Sequence, residues 1–339
     1  FSFLIKNSVL KNIIHDQAQN NYKIADIEKL TIDSKKEFNV SVDACLFLSK
    51  LNQNPQYTCT VSNFYNLEKY TTLGWHNRIF VYSVKDYEEA KDIEGKSQFV
   101  WRQGVKHDCS KIMELQEYNN HYKNGIDQEI YIENNLVYGL LKSSDLKGNE
   151  TNSCRKQIII TQKKIGEDTN YIARSFPLTY EYLKKNKNWF DKRKSSIYKG
   201  KPSFSIFGIG DYSFAPYKIA ISGLYKTSHF TLVLPSGNKP LMLDDTCYFI
   251  GFANYENAKI AYLLLNHEHA QKFLNSITFY DSKRPITKDV LMRIDFNKLF
   301  NLIDYNLIGN SNLNISEKNW IEFGNLINEK KELQQMTLF

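Results

Sequence analysis

The chain has 339 residues with a formal net charge of +7, and its composition of 42% hydrophobic and 24% charged residues excludes wholesale disorder. This length can bury the cores of two domains, while no apolar run reaches the roughly 18 residues that a membrane-spanning helix needs and no signal sequence opens the chain. The five cysteines are scattered without a C-x-x-C pair, which predicts reduced thiols in a cytoplasmic protein and argues against a disulfide framework or a structural zinc site.

The first 50 residues have the pattern of a buried α/β core. Residues 1–5 form a strand-like apolar run, and the apolar residues that follow up to residue 14 recur at helical spacing. Residues 24–32 and 40–48 are further apolar stretches, the second with the pattern of a buried strand. A free-standing domain seldom begins within a hydrophobic strand, because its unpaired edge tends to aggregate. We therefore expect a further segment before Phe1, in the same chain or in a partner chain.

Beyond residue 57 the pattern changes to short strands separated by turn residues, and the last third is helical. The sharpest change in composition lies at residues 55–66. The strand pattern is found at residues 78–84, 99–102, 130–132, 136–141 and 155–162 and within 203–252, with a hairpin turn at Asn134-Asn135. The helical pattern is found at residues 86–93, 110–117 with Asp108 as N-cap, 178–194, 254–266, 268–276, 287–293 and 317–330. The helix at 178–194 is basic and amphipathic.

One glycine motif invites a cofactor interpretation. Residues 207–211 contain G-x-G after an apolar strand, which could open a nucleotide or S-adenosylmethionine loop. Such a loop needs a helix next and an acidic residue roughly 20 positions later. Pro216 would break that helix, and Asp244 lies too far along the chain. We interpret the motif as a turn in a strand-rich domain.

Three other clusters have the residue types of catalytic or metal sites. Glu94 and Lys96 match the E-x-K of a magnesium-dependent nuclease, although a helix end and a glycine turn are poor geometry for it. In His267-Glu268-His269 and His107-Asp108-Cys109 the spacing does not let the side chains share a metal or form a nucleophile–base pair. Surface polarity and helix capping explain these two clusters better, and the nuclease remains an alternative.

Two basic stretches suit a nucleic-acid surface. In the first, Arg102 or Gln103 could read a base edge with two hydrogen bonds, and Lys106 could bind a phosphate. In the second, Lys283 and Arg284 precede a predicted helix N-terminus, which attracts anions. A solvated loop is the alternative for each stretch.

The amino-acid composition also suits a protein that binds nucleic acid. The chain has a pI near 8.9 and is rich in tyrosine and phenylalanine, and rings beside lysines suit nucleic acids because rings stack on bases and ammonium groups bind phosphates. Codon usage in an AT-rich genome would favour the same residue types. The net charge alone therefore does not identify a partner.

Several stretches taken in order resemble a known family. Residues 1–14 and 32–47 resemble the last catalytic-domain strands of gamma-class N6-adenine DNA methyltransferases of restriction–modification systems, and Phe38 and Val40 to Val42 resemble the family's β-hairpin. Residues 205–218, 243–250 and 281–287 are similar to segments of the family's target-recognition region. The resemblance covers most of the chain up to about residue 300.

The resemblance implies transfer of a methyl group from S-adenosylmethionine to the N6 of adenine in duplex DNA, with the target base flipped out of the helix. The family's catalytic motif is an Asn or Asp followed by two prolines and an aromatic residue, and this chain has no Pro-Pro pair. We expect that motif and the cofactor loop to lie before Phe1. S-adenosylmethionine would then serve the complete enzyme, and this chain alone would neither bind it nor catalyse methylation.

We therefore predict a mixed α/β protein in two parts. Residues 1–60 would form the end of a Rossmann-like methyltransferase sheet, and residues 61–339 a mixed α+β target-recognition region with a helical C-terminal part. Double-stranded DNA is the predicted partner, no catalytic or metal residue is predicted, and the predicted DNA contacts are Arg102, Gln103, Lys106, Tyr212, Lys218, Lys283 and Arg284. A stand-alone DNA-specificity subunit and the nuclease are the alternatives. A reading frame that continues upstream into a Gly-rich loop and a double-proline motif would favour the methyltransferase.

Overall fold

The computed structural model describes residues 1–20, 22–306 and 313–336. Its α-helices are α1 Asn7–Asn20, α2 Ser34–Phe38, α3 Val84–Ala90, α4 Ser110–Met113, α5 Tyr171–Ser175, α6 Pro177–Lys185, α7 Lys187–Asp191, α8 Tyr255–Asn266, α9 Glu268–Ile277, α10 Lys288–Leu291, α11 Phe296–Leu302 and α12 Glu317–Met336. Its strands are β1 Ser2–Lys6, β2 Ile24–Thr31, β3 Ala44–Leu51, β4 Thr58–Asn63, β5 Lys69–His76, β6 Ile79–Val81, β7 Arg102–Gln103, β8 Glu114–Tyr118, β9 His121–Asn124, β10 Glu129–Ile130, β11 Val137–Leu141, β12 Glu150–Thr151, β13 Lys156–Ile159, β14 Tyr217–Ser222, β15 Phe230–Val233, β16 Met242–Leu243 and β17 Cys247–Phe252.

The chain folds as two compact units, each assembled from two separate segments of sequence. Unit 1 contains Phe1–Ser97 and His267–Leu299, and unit 2 contains Gln98–Asn266 and the described residues from Phe300 onward. The boundary near residue 60 that the sequence indicates lies within unit 1. That a catalytic part ends near residue 60 therefore stays a prediction.

Unit 1 is built on one six-stranded mixed sheet. The strands lie in the order β1-β3-β2-β4-β5-β6, with β2 and β4 parallel and the other neighbours antiparallel. Leu10 and Ile14, one helical turn apart on α1, are buried in the core of this sheet with Phe47 and Val61. The strand and helix predicted for residues 1–14 are therefore confirmed.

The buried strand predicted at residues 40–48 starts later than expected. Asp33 accepts hydrogen bonds from the backbone N–H groups of Lys35 and Lys36 and so caps α2, which ends at the left-handed Asn39. The segment that follows α2 is exposed and forms no strand before Ala44. Phe38 and Val40 to Val42 therefore do not form the hairpin expected from the resemblance, because local helix capping prevails over β propensity.

The second segment of unit 1 is joined to the first by backbone hydrogen bonds. The N–H groups of Tyr82 and Ser83 donate to the Ser276 carbonyl, at 2.7 and 3.1 Å. The Ser97 N–H donates to the Met292 carbonyl at 2.9 Å. Residues 267–299, distant in sequence, thus complete the fold of the N-terminal segment.

Unit 2 contains two sheets, with strand orders β10-β9-β8-β13-β11-β16 and β12-β15-β14-β17-β7. Two local predictions fail here. The predicted helix at 110–117 ends at Met113, since Glu114 to Tyr118 pair as β8 with β9 and β13. The predicted hairpin at Asn134-Asn135 does not form, because β10 pairs with β9 whereas β11 pairs with β13 and β16.

The predicted basic helix at 178–194 is divided in two. Asn186 lies between α6 and α7, and its side-chain amide donates to the Tyr182 carbonyl at 2.9 Å. Leu183 and Phe190 are buried, whereas Trp189 is 37% exposed. The division places the tryptophan on the solvent side.

Helices dominate the C-terminal third, as predicted. α12 buries Trp320, Phe323 and Ile327, and Phe300 stacks on the Trp320 ring at 4.3 Å. The mixed α/β class is confirmed. In the described part of the chain no helix combines the length and the apolar character that crossing a bilayer requires.

Candidate nucleic-acid interface

The predicted DNA contacts are distributed over both units. Arg102, Gln103, Lys106, Tyr212 and Lys218 belong to unit 2, whereas Lys283 and Arg284 belong to unit 1. Lys283 is exposed and Arg284 is half-buried. Of the five residues of unit 2, Arg102 and Gln103 lie on β7, Lys106 follows β7, Tyr212 lies in the turn before β14, and Lys218 lies on β14.

Arg102 and Gln103 are presented by a short edge strand. They form β7 and pair with Phe249 and Tyr248 of β17. The preceding residue, Trp101, is fully buried and packs on the Phe230 ring at 5.6 Å. This anchor fixes the backbone of β7 while both polar side chains remain exposed.

The Arg102 guanidinium lies over an aromatic ring. It is 4.7 Å from the centroid of Tyr212, which stands in a 3-10 turn at Asp211–Phe214. The Tyr212 ring in turn packs on Phe249 at 6.0 Å, and burial raises the pKa of its hydroxyl. A guanidinium held on a ring keeps its charge and its planar donors while losing part of its freedom before any partner binds.

Gln103 and Lys106 are both engaged with the turn that follows β16. The Gln103 amide donates to the Asp245 carbonyl at 2.6 Å. The Lys106 ammonium pairs with Asp108 at 2.7 Å and lies 3.7 Å from the Asp245 carboxylate. A phosphate at Lys106 would therefore compete with two carboxylates, which weakens the case for that contact.

The prediction for Lys218 requires correction. Lys218 lies on β14, between β15 and β17, and its side chain has no exposed surface. Its ammonium group donates to the Ala215 carbonyl at 2.6 Å, and burial lowers its pKa to about 7. An enclosed amine cannot reach a phosphate. The contact instead ties β14 to the end of the turn that carries Tyr212.

The space next to the glycines of the G-x-G motif is occupied by the protein's own atoms. Gly208 has a φ of 66°, and a Cβ there would overlap the Gly104 carbonyl oxygen. A Cβ on Gly210 would overlap the Tyr212 ring. The helical segment that follows has only four residues, Asp211–Phe214, so no helix N-terminus faces the loop. These residues do not fit S-adenosylmethionine.

Glu94, the carboxylate of the alternative nuclease site, is already bound by other side chains. Glu94 accepts two hydrogen bonds from the Arg293 guanidinium, at 2.8 and 2.5 Å, and one from the Tyr87 hydroxyl. Among the described residues no three His, Cys, Asp or Glu side chains are grouped so that they could hold a metal ion. Glu94 is thus a structural residue of unit 1.

The two histidine clusters have different roles. The His267 ring accepts a hydrogen bond from the His269 N–H and caps α9, as predicted. His107 is buried, which corrects the expected surface position. Its ring accepts from the Cys109 N–H at 3.2 Å and lies 3.4 Å from Glu114. Both clusters stabilise local structure.

The sequence interpretation assigned no function to a strongly basic segment of unit 2. Residues 184–201 contain eight Lys or Arg residues and a single acidic residue, Asp191. The density of charge is the signal in the sequence that distinguishes this segment.

Comparison with known proteins places the chain beside a methyltransferase. No protein-family model matches it. It is 40% identical over 307 residues to the Type II methyltransferase M.NspV of Nostoc sp., an alignment that covers 89% of this chain and 63% of the relative. The chain thus spans somewhat less than two thirds of the relative's length. The resemblance seen in the sequence is confirmed at the level of a Type II methyltransferase.

Two solved structures share weak overall similarity with the chain. The Type IIL restriction–modification enzyme MmeI in complex with DNA has a TM-score of 0.48 at 11% identity, over 97% of this chain and 46% of MmeI. The Type IIG restriction endonuclease BpuSI has a TM-score of 0.39 at 13% identity, over 98% of this chain and 42% of BpuSI. Similarity at this level assigns no function.

Proposed function

Because this chain is homologous to a Type II methyltransferase along 89% of its length, we propose that it is the DNA-recognising part of a site-specific DNA methyltransferase. The 40% identity is the observation that carries the proposal. The resemblance to the gamma class adds the chemistry: the complete enzyme would move a methyl group from S-adenosylmethionine to the N6 of a flipped adenine. DNA is the macromolecular partner of this activity.

The surface of unit 2 supports a recognition role. Arg102 and Gln103 carry the two kinds of side chain that read guanine and adenine edges bidentately in the major groove. Both stand exposed on β7, whose backbone is anchored by buried Trp101. The Arg102 guanidinium is oriented by Tyr212 before DNA arrives. The Arg102 donors, preorganised on a rigid strand, are suited to sequence reading, whereas the Gln103 amide would exchange its bond to the Asp245 carbonyl for one to a base.

Catalysis would need groups other than those described. The chain contains no double-proline motif, and its one G-x-G turn is packed against Gly104 and Tyr212. We therefore propose that residues 1–339 bind DNA and do not transfer a methyl group by themselves. A stand-alone DNA-specificity subunit is the second candidate, favoured by the same observation. An upstream reading frame that encodes the missing motifs would decide for the methyltransferase.

Equilibrium binding tests the recognition role. The purified chain is titrated into a fluorescently labelled duplex, and anisotropy gives the dissociation constant between about 50 and 200 mM salt. We expect binding that weakens steeply as salt rises, since cations on the protein displace counterions from phosphates. Failure to bind duplex at low salt, or an affinity that is independent of salt, would overturn the proposal.

The methylated base is tested separately in cells that express the intact gene product. Their DNA is digested to nucleosides and analysed by mass spectrometry. N6-methyladenine that is absent from non-expressing cells is the expected product. A methylated cytosine would overturn the adenine assignment while leaving methyl transfer in place, and unmodified DNA would favour the specificity subunit.

A further inference from the structure

The basic segment of unit 2 encloses a concavity of about 390 Å³. The aromatic rings of Phe190, Tyr198 and Phe204 contribute to its wall. The complete lining is formed by Lys187, Phe190, Asp191, Arg193, Ser195, Tyr198, Lys199, Lys201, Pro202, Ser203 and Phe204. Four of these side chains are cations, and only one is a carboxylate, so the concavity is strongly electropositive.

The single carboxylate does not neutralise the whole concavity. Asp191 pairs with Lys187 at 2.7 Å, one helical turn away on α7. Lys199 and Lys201 are exposed and form no ion pair with any carboxylate of the described residues. Their charges remain available to an anion, which distinguishes them from Lys106 with its two carboxylate neighbours.

Arg193 fixes the shape of the concavity. Its guanidinium donates to three backbone carbonyls, those of Phe190 at 3.1 Å, Ser205 at 2.6 Å and His107 at 3.3 Å. It also lies 3.6 Å from the centroid of the Tyr198 ring. These contacts tie the end of α7 to the chain at residues 204–205. Carbonyl groups do not cancel the charge, so Arg193 adds a fixed, half-buried cation to the lining, with the Asp108 carboxylate close enough to interact with it.

The surrounding surface extends the positive charge. Lys185, Lys192 and Lys194 are exposed on the same segment. On α4, Lys111 lies 5.2 Å from the ring centroid of Trp189, which is 37% exposed. Lysines beside an exposed aromatic ring form the kind of surface that follows a nucleic-acid backbone.

We propose that this concavity binds a phosphate group of the DNA backbone, with Lys199 and Lys201 as the contacting cations. The inference rests on the proposed function and adds a site to it. Arg193 acts as a positioning residue, because its guanidinium is committed to the protein's own carbonyls. A backbone contact of this kind orients the protein on DNA without reading sequence, so it complements Arg102 and Gln103.

A double substitution tests the site. Lys199→Ala with Lys201→Ala removes two exposed charges and no buried contact, so the fold should be unaffected. Lys35→Ala with Lys36→Ala is the matched control, since it removes two adjacent exposed lysines of α2 in unit 1. Anisotropy titrations with labelled duplex are run for both variants and the wild type over the same salt series.

The expected result is a loss of about tenfold or more in affinity and a salt slope smaller by about 2 for Lys199→Ala/Lys201→Ala, equal on duplexes of different sequence. The control should show a smaller loss of affinity and a smaller reduction of the salt slope. A variant no weaker than the control overturns the site, and a loss confined to one sequence overturns its assignment to phosphate. A wild-type chain that binds no duplex overturns the proposed function and this inference together.

Discussion

Among single residues, Arg102 is the one whose geometry most directly indicates base reading. A lysine at this position would keep the charge but lose the planar fork and its stacking on Tyr212. If Arg102 reads a base, both Arg102→Lys and Arg102→Ala should reduce discrimination between the preferred duplex and a mismatched one by about 1–3 kcal/mol. Competition titrations measure this difference. Weaker binding of Arg102→Ala to all duplexes alike, with discrimination unchanged, would contradict base reading and indicate a phosphate contact.

Lys218 gives the wild-type protein a characteristic dependence of stability on pH. Its pKa is about 7 in the folded protein and about 10.4 in an unfolded chain, so the unfolded chain binds more protons between these values. The free energy of unfolding should therefore rise with pH from about 7 towards 10, and below about 7 the full penalty of a buried charge applies.

Lys218→Met should abolish this rise. We expect the stability of the wild type relative to the variant to increase by on the order of 2 kcal/mol between pH 7 and pH 9. Urea unfolding at both pH values measures it, with exposed Lys199→Met as the matched control. Parallel pH profiles for the wild type and Lys218→Met would show that the amine is not held in a buried state.

The burial of Lys218 was not predictable from local sequence. A lysine beside Tyr217 in an alternating strand has the appearance of a solvent-facing position. In the structure β14 lies between β15 and β17, and the run from Lys218 to Ser222 is buried throughout. Arg102 was predictable as an exposed residue, but its position over Tyr212 depends on 109 residues of intervening chain.

At the scale of elements, the turn before β14 depends on close packing at Gly208. Gly208 and Gly200 share nearly the same φ, 66° and 67°, but a Cβ on Gly208 would overlap the Gly104 carbonyl whereas one on Gly200 would meet nothing within 4 Å. Both alanine variants carry the left-handed strain of about 1 kcal/mol. Gly208→Ala should in addition displace the backbone at Gly104.

We expect Gly208→Ala to lower the free energy of unfolding by at least about 2 kcal/mol more than Gly200→Ala. Denaturant unfolding of the two variants gives the difference between their free energies of unfolding, and the backbone strain common to both variants cancels in this difference. Because the turn carries Tyr212, Gly208→Ala should also weaken DNA binding. Equal destabilisation by both substitutions would mean that the approach of Gly208 to Gly104 is not close.

Helices and strands were predictable from the sequence where interactions between nearby residues stabilise them. The helices of the C-terminal third follow the spacing of their apolar residues, and α9 starts at the cap that His267 supplies. The failures arose where pairing partners are distant. β8 pairs with β13 about forty residues later, and β11 pairs with β16 about a hundred residues later. Neither pairing can therefore be predicted from the residues next to β8 or β11.

At the scale of the whole molecule, unit 1 depends on two chain segments that contact each other through ion pairs as well as backbone bonds. Arg293 binds Glu94 with side chains only 28% and 21% exposed, whereas Lys272 binds Glu89 with side chains 44% and 43% exposed. Both pairs join residues 1–97 to residues 267–299. They therefore form a matched comparison of a partly buried and an exposed pair.

Arg293→Met should destabilise the protein by about 1–3 kcal/mol, because it leaves the Glu94 carboxylate without its two guanidinium hydrogen bonds. Lys272→Met should cost less than about 1 kcal/mol. Hydrogen exchange should be faster at the N–H groups of Gly95 and Ser97 in Arg293→Met, since these donate to Arg293 and Met292. Equal effects of the two substitutions would contradict a structural role for Glu94.

The most direct test of the recognition role is selection from a pool of random duplexes. The 339-residue chain is incubated with the pool at physiological salt, and bound duplexes are recovered, amplified and sequenced over several rounds. We predict enrichment of one short sequence that contains an adenine, with the enrichment lost in Arg102→Ala. A bound pool as random as the input would contradict the claim that this chain recognises a DNA sequence.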